Sequence, residues 1–230
     1  MILGGLQKLT LIDYPGKLAA IIFVSGCSFR CGFCYNPELV LPEKIKEHPK
    51  ISEDFIFDFL KERQGMLEGV VITGGEPTIQ RDLPDFLKKI KNLGYSVKLD
   101  SNGSNPEMLK ELIDKKLIDY IALDIKGPRE KYQKITGAEV DLEKIKKSVE
   151  LAKNSNIDYE FRSTILPIVH TKEDIVNMAK WISGAKVYYL QQFRPEKTLD
   201  PKYEKYKPFS QEQLKEIQKE CNKNVLTKLR

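Results

Sequence analysis

Three cysteines stand close together in the segment Gly26–Pro37. Cys27, Cys31 and Cys34 occupy positions i, i+4 and i+7, so three thiolates can face one small centre from a single loop. Thiolates are the usual ligands of iron–sulfur clusters, which normally have four of them. With only three, one iron keeps an open position where a substrate can bind and react. The spacing therefore predicts one [4Fe–4S] cluster with a free coordination site.

Two other interpretations of these thiols stay open, a structural zinc site and a group of inert buried cysteines. Zinc usually takes four protein ligands with paired C-x-x-C spacing, whereas the fourth cysteine, Cys221, lies far along the chain. Cys221 continues an apolar stripe with Leu214 and Ile217, so we expect it in the core. The two histidines, His48 and His170, do not have the spacing of a ligand pair.

A second polar segment, Thr73–Pro77, reads Thr-Gly-Gly-Glu-Pro and follows a predicted strand. Gly74 and Gly75 let the backbone approach a ligand closely. Glu76 can accept hydrogen bonds from an ammonium group. The alternative is an ordinary turn that carries a surface glutamate.

The elements that position these residues alternate between strand and helix. The predicted strands are apolar and rich in Val, Ile, Tyr and Phe, as is typical of a parallel sheet covered by helices. They are Leu18–Ser25, Gly69–Thr73, Ser96–Asp100, Tyr120–Asp124, Tyr159–Thr164 and Val187–Gln191. A helix pattern follows each strand, beginning with Ser52–Gln64, and the predicted N-caps of later helices are Asp82, Asn105, Thr171 and Ser210.

Polar residues follow each of the six strands at the point where the strand ends. In β/α barrels the site is built from the loops at the carboxyl ends of the strands. We therefore expect one rim to collect the cysteine loop, Gly74–Pro77, Ser101–Gly103, Asp124–Lys126, Arg162 and Gln191–Arg194.

The composition of the 230-residue chain excludes some classes of protein. Its formal net charge is +5, but the lysines alternate with acidic residues along predicted helices, which indicates solvated faces. No nucleic-acid motif accompanies them, so we expect no nucleic-acid partner. We also expect no membrane partner, because no apolar run is long enough for a membrane helix and the first residues lack a secretory signal pattern. These features predict one cytoplasmic domain over residues 1–230.

The pattern Cys-x-x-x-Cys-x-aromatic-Cys after a first strand resembles the signature of the radical S-adenosylmethionine (SAM) superfamily. Thr73–Pro77 resembles the Gly-Gly-Glu motif of the same superfamily. The resemblance implies that SAM chelates the open iron through its amino and carboxylate groups. One electron then cleaves the sulfonium, giving methionine and a 5′-deoxyadenosyl radical. The implied fold is α/β, an incomplete (βα)6 TIM-like barrel of the radical SAM type with both cofactors at the carboxyl rim.

Most of the chain is similar to the activating proteins of anaerobic ribonucleoside-triphosphate reductase, and the pyruvate formate-lyase activating enzymes are similar relatives. The segments that carry this resemblance are Gly5–Gly16, Cys34–Leu39, Leu99–Gly103, Ala122–Lys126 and Leu190–Pro195. The resemblance implies that the methionyl end of SAM is contacted by the segments that match Asp100, Ser101, Asn102, Asp124 and Lys126. Some relatives also hold a monovalent cation there.

Individual residues receive roles from this resemblance. Lys126 could pair with the SAM carboxylate, while Asp100 and Asp124 could serve its ammonium group or a cation; an ordinary surface lysine and a strand-end cap are the alternatives. Arg162 sits mid-strand among apolar residues, so a ligand contact and a structural ion pair both stay open. Asn36 is retained after the third cysteine, but Tyr35 stands where these activating enzymes often have histidine.

The resemblance implies that the chain generates a glycyl radical on a partner enzyme, with anaerobic ribonucleoside-triphosphate reductase as the expected partner. A flavodoxin or a ferredoxin is the expected electron donor. A radical SAM enzyme acting on a small molecule, such as a 7-carboxy-7-deazaguanine synthase, or on another glycyl-radical enzyme, is the first alternative. An iron–sulfur electron carrier without enzymatic activity and a zinc-stabilised interaction domain are more remote.

Overall fold

The computed structural model describes residues 1–230 and places eight strands in one sheet, ordered as they occur in the chain. The first pair is antiparallel and all later neighbours are parallel. The first and last strands do not pair, so the barrel stays open on that side, as predicted. The strands are β1 (Leu3–Thr10), β2 (Ala19–Val24), β3 (Gly69–Gly74), β4 (Ser96–Ser101), β5 (Tyr120–Asp124), β6 (Asp158–Ile165), β7 (Tyr188–Gln192) and β8 (Thr227–Leu229).

Helices connect the parallel strands. They are α1 (Pro37–Val40), α2 (Pro42–Glu47), α3 (Glu53–Glu62), α4 (Leu83–Asn92), α5 (Pro106–Asp114), α6 (Tyr132–Thr136), α7 (Leu142–Asn154), α8 (Lys172–Trp181) and α9 (Gln211–Cys221). None of these helices combines the length and the apolar composition that a membrane-spanning helix requires.

Both faces of the parallel strands are covered, as their sequences indicate. On β2, Ile22 packs into the main core, while Ile21 belongs to a smaller apolar cluster with Val71 and Tyr14. Successive side chains of a strand point to opposite faces, so one set meets the helices and the other lies inside the barrel. Cys221 is fully buried in the main core, which confirms its predicted role.

Three of the four predicted N-caps act as expected. Thr171 and Ser210 form capping boxes, and the side chain of Asn105 accepts a hydrogen bond from Met108 N. Asp82 occupies the N-cap position of α4, but its side chain makes no capping hydrogen bond and accepts instead from the amino group of Met1. The prediction for Asp82 is thus confirmed for its position and wrong for its capping hydrogen bond.

Strands β1 and β8 and helices α1, α2 and α6 were not predicted. β1 contains Gly4 and Gly5, which disfavour a strand, and β8 has only three residues. The sheet therefore contains two strands more than the six predicted, one at each edge. α1 and α2 fill the stretch between the cysteine loop and α3, and Gly26 N donates to Leu39 O of α1 over 2.7 Å.

Candidate active site

The three cysteines after β2 line one cavity at the carboxyl rim of the barrel. The cavity and its mouth enclose about 840 Å³ that protein atoms do not fill. Burial raises the pKa of Cys27 to about 12 and that of Cys31 to about 11, and it also raises the pKa of Cys34. Thiolates in this loop therefore need a positive charge beside them, which bound metal ions supply.

The shape of the cysteine loop is fixed by contacts within the chain. Arg30 N donates to Thr136 O of α6 over 2.7 Å, and the Arg30 guanidinium donates to Cys27 O over 2.7 Å. Phe29 N donates to Cys27 Sγ over 3.4 Å, an interaction that favours the thiolate. The loop is thus held by hydrogen bonds within itself and by one to α6.

Gly74 and Gly75 bring the end of β3 against the cysteine loop. Gly74 has φ +119°, and a Cβ there would lie 2.4 Å from Val24 O; a Cβ on Gly75 would lie 2.0 Å from Gly26 O. Any larger residue would push the two loops apart. Both glycines also line the cavity. The close approach that we predicted is therefore made to the chain's own backbone.

Glu76 is buried and its carboxylate binds several donors of the protein. Oε1 accepts from Thr78 N over 3.1 Å, from Thr78 Oγ1 over 2.5 Å and from Ser101 Oγ over 2.8 Å. Oε2 accepts from Asn102 N over 2.6 Å. Burial raises the pKa of Glu76, although these donors oppose the shift. The alternative of a surface glutamate is wrong, because this carboxylate joins the ends of β3 and β4.

A set of charged side chains, which we call the rim network, links β4, β5, β6 and the connection that follows β5. Arg162 Nε donates to Asp124 Oδ1 over 2.9 Å, and Arg162 Nη1 donates to Asp100 Oδ2 over 3.1 Å. Lys126 Nζ binds Asp124 Oδ2 over 3.0 Å, and Lys98 Nζ binds Asp100 Oδ1. Burial alone would raise the pKa of Asp124, but Arg162 and Lys126 outweigh it and lower that pKa to about 2. The Asp124 carboxylate is therefore ionised at neutral pH.

This cavity belongs to a chain that matches a known protein family. The sequence profile described as the radical SAM superfamily matches residues 21–182, well over half of the chain. The chain belongs to the radical SAM superfamily.

Relatives of this radical SAM enzyme match it over most of its length. A Methanocaldococcus jannaschii protein with the provisional name of glycyl-radical enzyme activating enzyme is 36% identical over 97% of this chain and 93% of its own. The pyruvate formate-lyase-activating enzyme of Clostridium pasteurianum is 29% identical over 89% of this chain and 87% of its own. The crystal structure of Streptococcus suis SuiB shares the fold, with a TM-score of 0.66 at 16% identity over 91% of this chain and 48% of SuiB.

Enzymes of this superfamily use a [4Fe–4S] cluster and SAM, and the donor set of this radical SAM enzyme fits both. Three thiols line the cavity, and the fourth cysteine is buried elsewhere. The cavity is also lined by carboxylates and a lysine that could receive the charged methionyl end of SAM.

The structure brings nearly all predicted site residues of this radical SAM enzyme to the same cavity. Its lining includes Cys27, Cys31, Cys34, Asn36, Gly74, Gly75, Glu76, Asp100, Ser101, Asn102, Asp124 and Lys126. Arg162 is not among the lining residues. It lies behind Asp100 and Asp124, so of its two predicted roles the structure displays the ion pair.

Some contacts around the cysteine loop of this radical SAM enzyme were not foreseen. Tyr35, which replaces the expected histidine, accepts a hydrogen bond from Arg194 N over 2.8 Å and stacks on Phe193 at 5.8 Å. Leu199 N donates to Cys34 O over 2.8 Å. The segment after β7 therefore lies over the cysteine loop. Only the polar run after the sixth predicted strand indicated that this segment reaches the rim.

His170 is the other residue that sequence reasoning missed. It is 1% exposed, and its Nε2 lies 2.9 Å from Lys126 O. Leu166 N donates to Nδ1 over 3.4 Å, so Nε2 carries the proton of the neutral ring and donates to Lys126 O. Its ring also packs edge-on against Phe33 at 6.2 Å. His170 thus supports two segments of the rim, and no spacing in the sequence reveals this.

Proposed function

We propose that this radical SAM enzyme activates a glycyl-radical enzyme and that its partner is an anaerobic ribonucleoside-triphosphate reductase. The observation that carries the proposal is the meeting of three thiols, without a fourth, and the rim network at one cavity. The similarity over nearly the full length of both chains to a protein provisionally named as such an activating enzyme supports the substrate class.

The proposed roles follow from where each group lies. Cys27, Cys31 and Cys34 hold the cluster, and Lys126, which is partly exposed to the cavity, receives the carboxylate of SAM. The remaining residues proposed to contact or shape the SAM site are Asn36, Gly74, Gly75, Glu76, Asp100, Ser101, Asn102 and Asp124. When bound and reduced, the cluster and SAM supply a 5′-deoxyadenosyl radical that abstracts a hydrogen atom from the glycine Cα of the partner.

The chain's own contribution is placement of the reactants and exclusion of water. Phe29 and Phe33 line the cavity beside the cysteines and present apolar surface to it. The gap between β1 and β8 leaves the barrel open on one side, which suits a loop of another protein better than a closed barrel would. We propose that residues 1–230 form one domain for this task.

The remaining partners follow from the reaction. A one-electron donor such as a flavodoxin or a ferredoxin is required to reduce the cluster. All four cysteines are unpaired, which fits a reducing compartment such as the cytoplasm, and oxygen-free conditions.

The decisive experiment is anaerobic and uses the reconstituted full chain. With reductant and SAM, we expect 5′-deoxyadenosine, and with the reductase added we expect a glycyl radical in electron spin resonance. Replacing Cys27, Cys31 or Cys34 by Ala should abolish both signals. The matched control is Cys221→Ala, which removes a buried thiol outside the cavity and should keep both.

Each other result of this experiment contradicts a stated part of the proposal. If 5′-deoxyadenosine still forms in all three cysteine variants, the assignment of Cys27, Cys31 and Cys34 as cluster ligands is contradicted. A glycyl radical that forms on pyruvate formate-lyase instead of the reductase contradicts the proposed identity of the partner. Pyruvate formate-lyase is therefore tested alongside the reductase, because the chain is similar to the activating enzyme of Clostridium pasteurianum. Turnover of a small molecule such as a deazaguanine precursor, without a protein radical, contradicts glycyl-radical activation.

A further inference from the structure

Lys98 is a lysine buried inside the barrel. It precedes Asp100 by two residues on β4, so both side chains lie on the same face of the strand. Lys98 is 1% exposed, and Nζ forms an ion pair with Asp100 Oδ1. Its Nζ also lies 5.9 Å from the ring centroid of Tyr120. Burying a charge this deeply is costly unless it is paired, so its position calls for an explanation.

The ion pair of Lys98 completes the pairing of the rim carboxylates. Both oxygens of Asp100 are bound, one by Lys98 and one by Arg162. Both oxygens of Asp124 are bound as well, one by Arg162 and one by Lys126. Two carboxylates thus face three cationic side chains, and the formal charge of the rim network is +1.

The net charge of the rim network affects how the site binds a zwitterionic amino-acid group. A net positive rim favours a carboxylate and disfavours a free metal cation. Without Lys98 the same network would be neutral, and one oxygen of Asp100 would face a buried space without a cation. A small monovalent ion could then enter that space.

Lys98 itself does not line the cavity, whereas Asp100 does. Lys98 therefore acts on a ligand only through Asp100, and it is a positioning residue. The side chain is anchored at its Cα, so its ammonium group is present at the site whatever the ions in solution.

We propose that the Lys98 ammonium group serves as a tethered monovalent cation that neutralises and orients Asp100, so that SAM binding needs no free metal ion. The proposal rests on the proposed function, because it assumes that Asp100 and Lys126 border the SAM site. The proposal concerns the affinity for SAM and the dependence of that affinity on cations in solution, not the chemistry of the radical.

The test compares SAM affinity in different salts with the reconstituted full chain under anaerobic conditions. Equilibrium dialysis is run at equal ionic strength with sodium, potassium, ammonium or tetramethylammonium chloride. For the wild type we expect the same dissociation constant in all four salts, within about twofold. For Lys98→Met, which keeps the length but removes the charge, we expect about tenfold weaker binding in tetramethylammonium. Sodium, potassium or ammonium should restore the affinity of this variant, whereas the bulky ion should not.

A second variant and a second readout keep the proposal testable if Lys98→Met is unstable. The double variant Lys98→Met/Asp100→Asn removes both partners and should lose all response to small cations, because no carboxylate is left to bind them. The thermal unfolding midpoint of the cluster-free protein is measured in the same salts. Only Lys98→Met should be stabilised by sodium, potassium or ammonium.

The outcomes separate the two proposals. A wild-type affinity that depends on sodium or potassium, an unchanged affinity of Lys98→Met in tetramethylammonium, or a salt response that persists in the double variant overturns the role of Lys98. Absence of SAM binding by the wild type in every salt contradicts the proposed function instead. In that case the unfolding midpoints of the cluster-free variants still decide whether Lys98 replaces a free cation.

Discussion

Two sets of buried charges lie inside the barrel, and they differ in balance and in access. The rim network has three cations for two carboxylates, and Asp100, Asp124 and Lys126 line the cavity. The other set, which we call the inner pair, is Glu160 with Arg230. Glu160 precedes Arg162 by two residues on β6, so it lies one step deeper in the barrel.

The inner pair is complete within itself. Arg230 donates to both oxygens of Glu160 over 2.8 and 3.0 Å, and Tyr120 donates to one of them over 3.0 Å. Arg230 also lies over the ring of Tyr189 at 3.4 Å. Glu160 is fully buried, and neither partner lines the cavity. A balanced pair away from the cavity contributes to the fold, whereas an unbalanced network that lines a cavity retains charge for a ligand.

The largest expected effect comes from breaking the inner pair with Arg230→Met. This variant leaves Glu160 buried without a cation, and we expect a loss of about 3 kcal/mol in unfolding free energy, the low end for a broken buried pair, because Arg230 is partly exposed. Urea denaturation measures the loss. SAM affinity of the folded variant should stay within about twofold of the wild type. The neighbouring exposed Lys228→Met is the matched control and should change stability little.

A double variant sharpens this prediction. Glu160→Gln with Arg230→Met removes both charges, so its loss of stability should be smaller than that of Arg230→Met alone. A tenfold loss of SAM affinity in either variant would show that the inner pair belongs to the functional site, and the distinction between the two sets would fail.

The next largest effect is a contribution of the rim network to the unfolding free energy that is lost in acid. The pKa of Asp124 is about 2 in the folded chain and 3.8 ordinarily, so its stabilisation is present above pH 4 and is lost as the pH falls towards 2. The Asp124→Asn variant should therefore have an unfolding free energy about 2 kcal/mol lower than the wild type at pH 7 and almost the same near pH 2. Urea denaturation at several pH values checks this. The exposed Asp54→Asn is the control, and an equal pH dependence in both variants contradicts the assignment.

The smallest effect lies nearer neutral pH and again concerns the rim alone. Burial lowers the pKa of His170 below its ordinary 6.5. A histidine whose folded pKa is lowered binds fewer protons than in the unfolded chain, so stability falls as the pH drops below 6.5. His170→Gln should remove this fall in unfolding free energy below pH 6.5, whereas His48→Gln should keep it. Urea denaturation at several pH values measures it. A slope that survives in His170→Gln assigns the pH dependence to another group.

Much of the site could be predicted because the reactive residues follow strands that the sequence marks clearly. Each of the six predicted strands appears in the sheet, and their carboxyl ends bring the cysteine loop, Glu76, Asp100, Asp124 and Lys126 together. The hydrogen-bond partners of these site residues could not be predicted from the sequence. Glu76 is bound by Ser101 and Asn102, and His170 by Lys126, across separations of 25 to 44 residues.

The sequence by itself determined the alternation of strand and helix, the three thiols and the polar rim, because these depend on residue type and short-range periodicity. Only the tertiary structure decided that β1 and β8 border the sheet, that Arg162 is used in ion pairs and that Lys98 lies beneath Asp100. The physical reason is that ion pairing and strand pairing at an edge depend on which distant groups the fold brings within a few ångströms, and a local pattern carries no record of those distances.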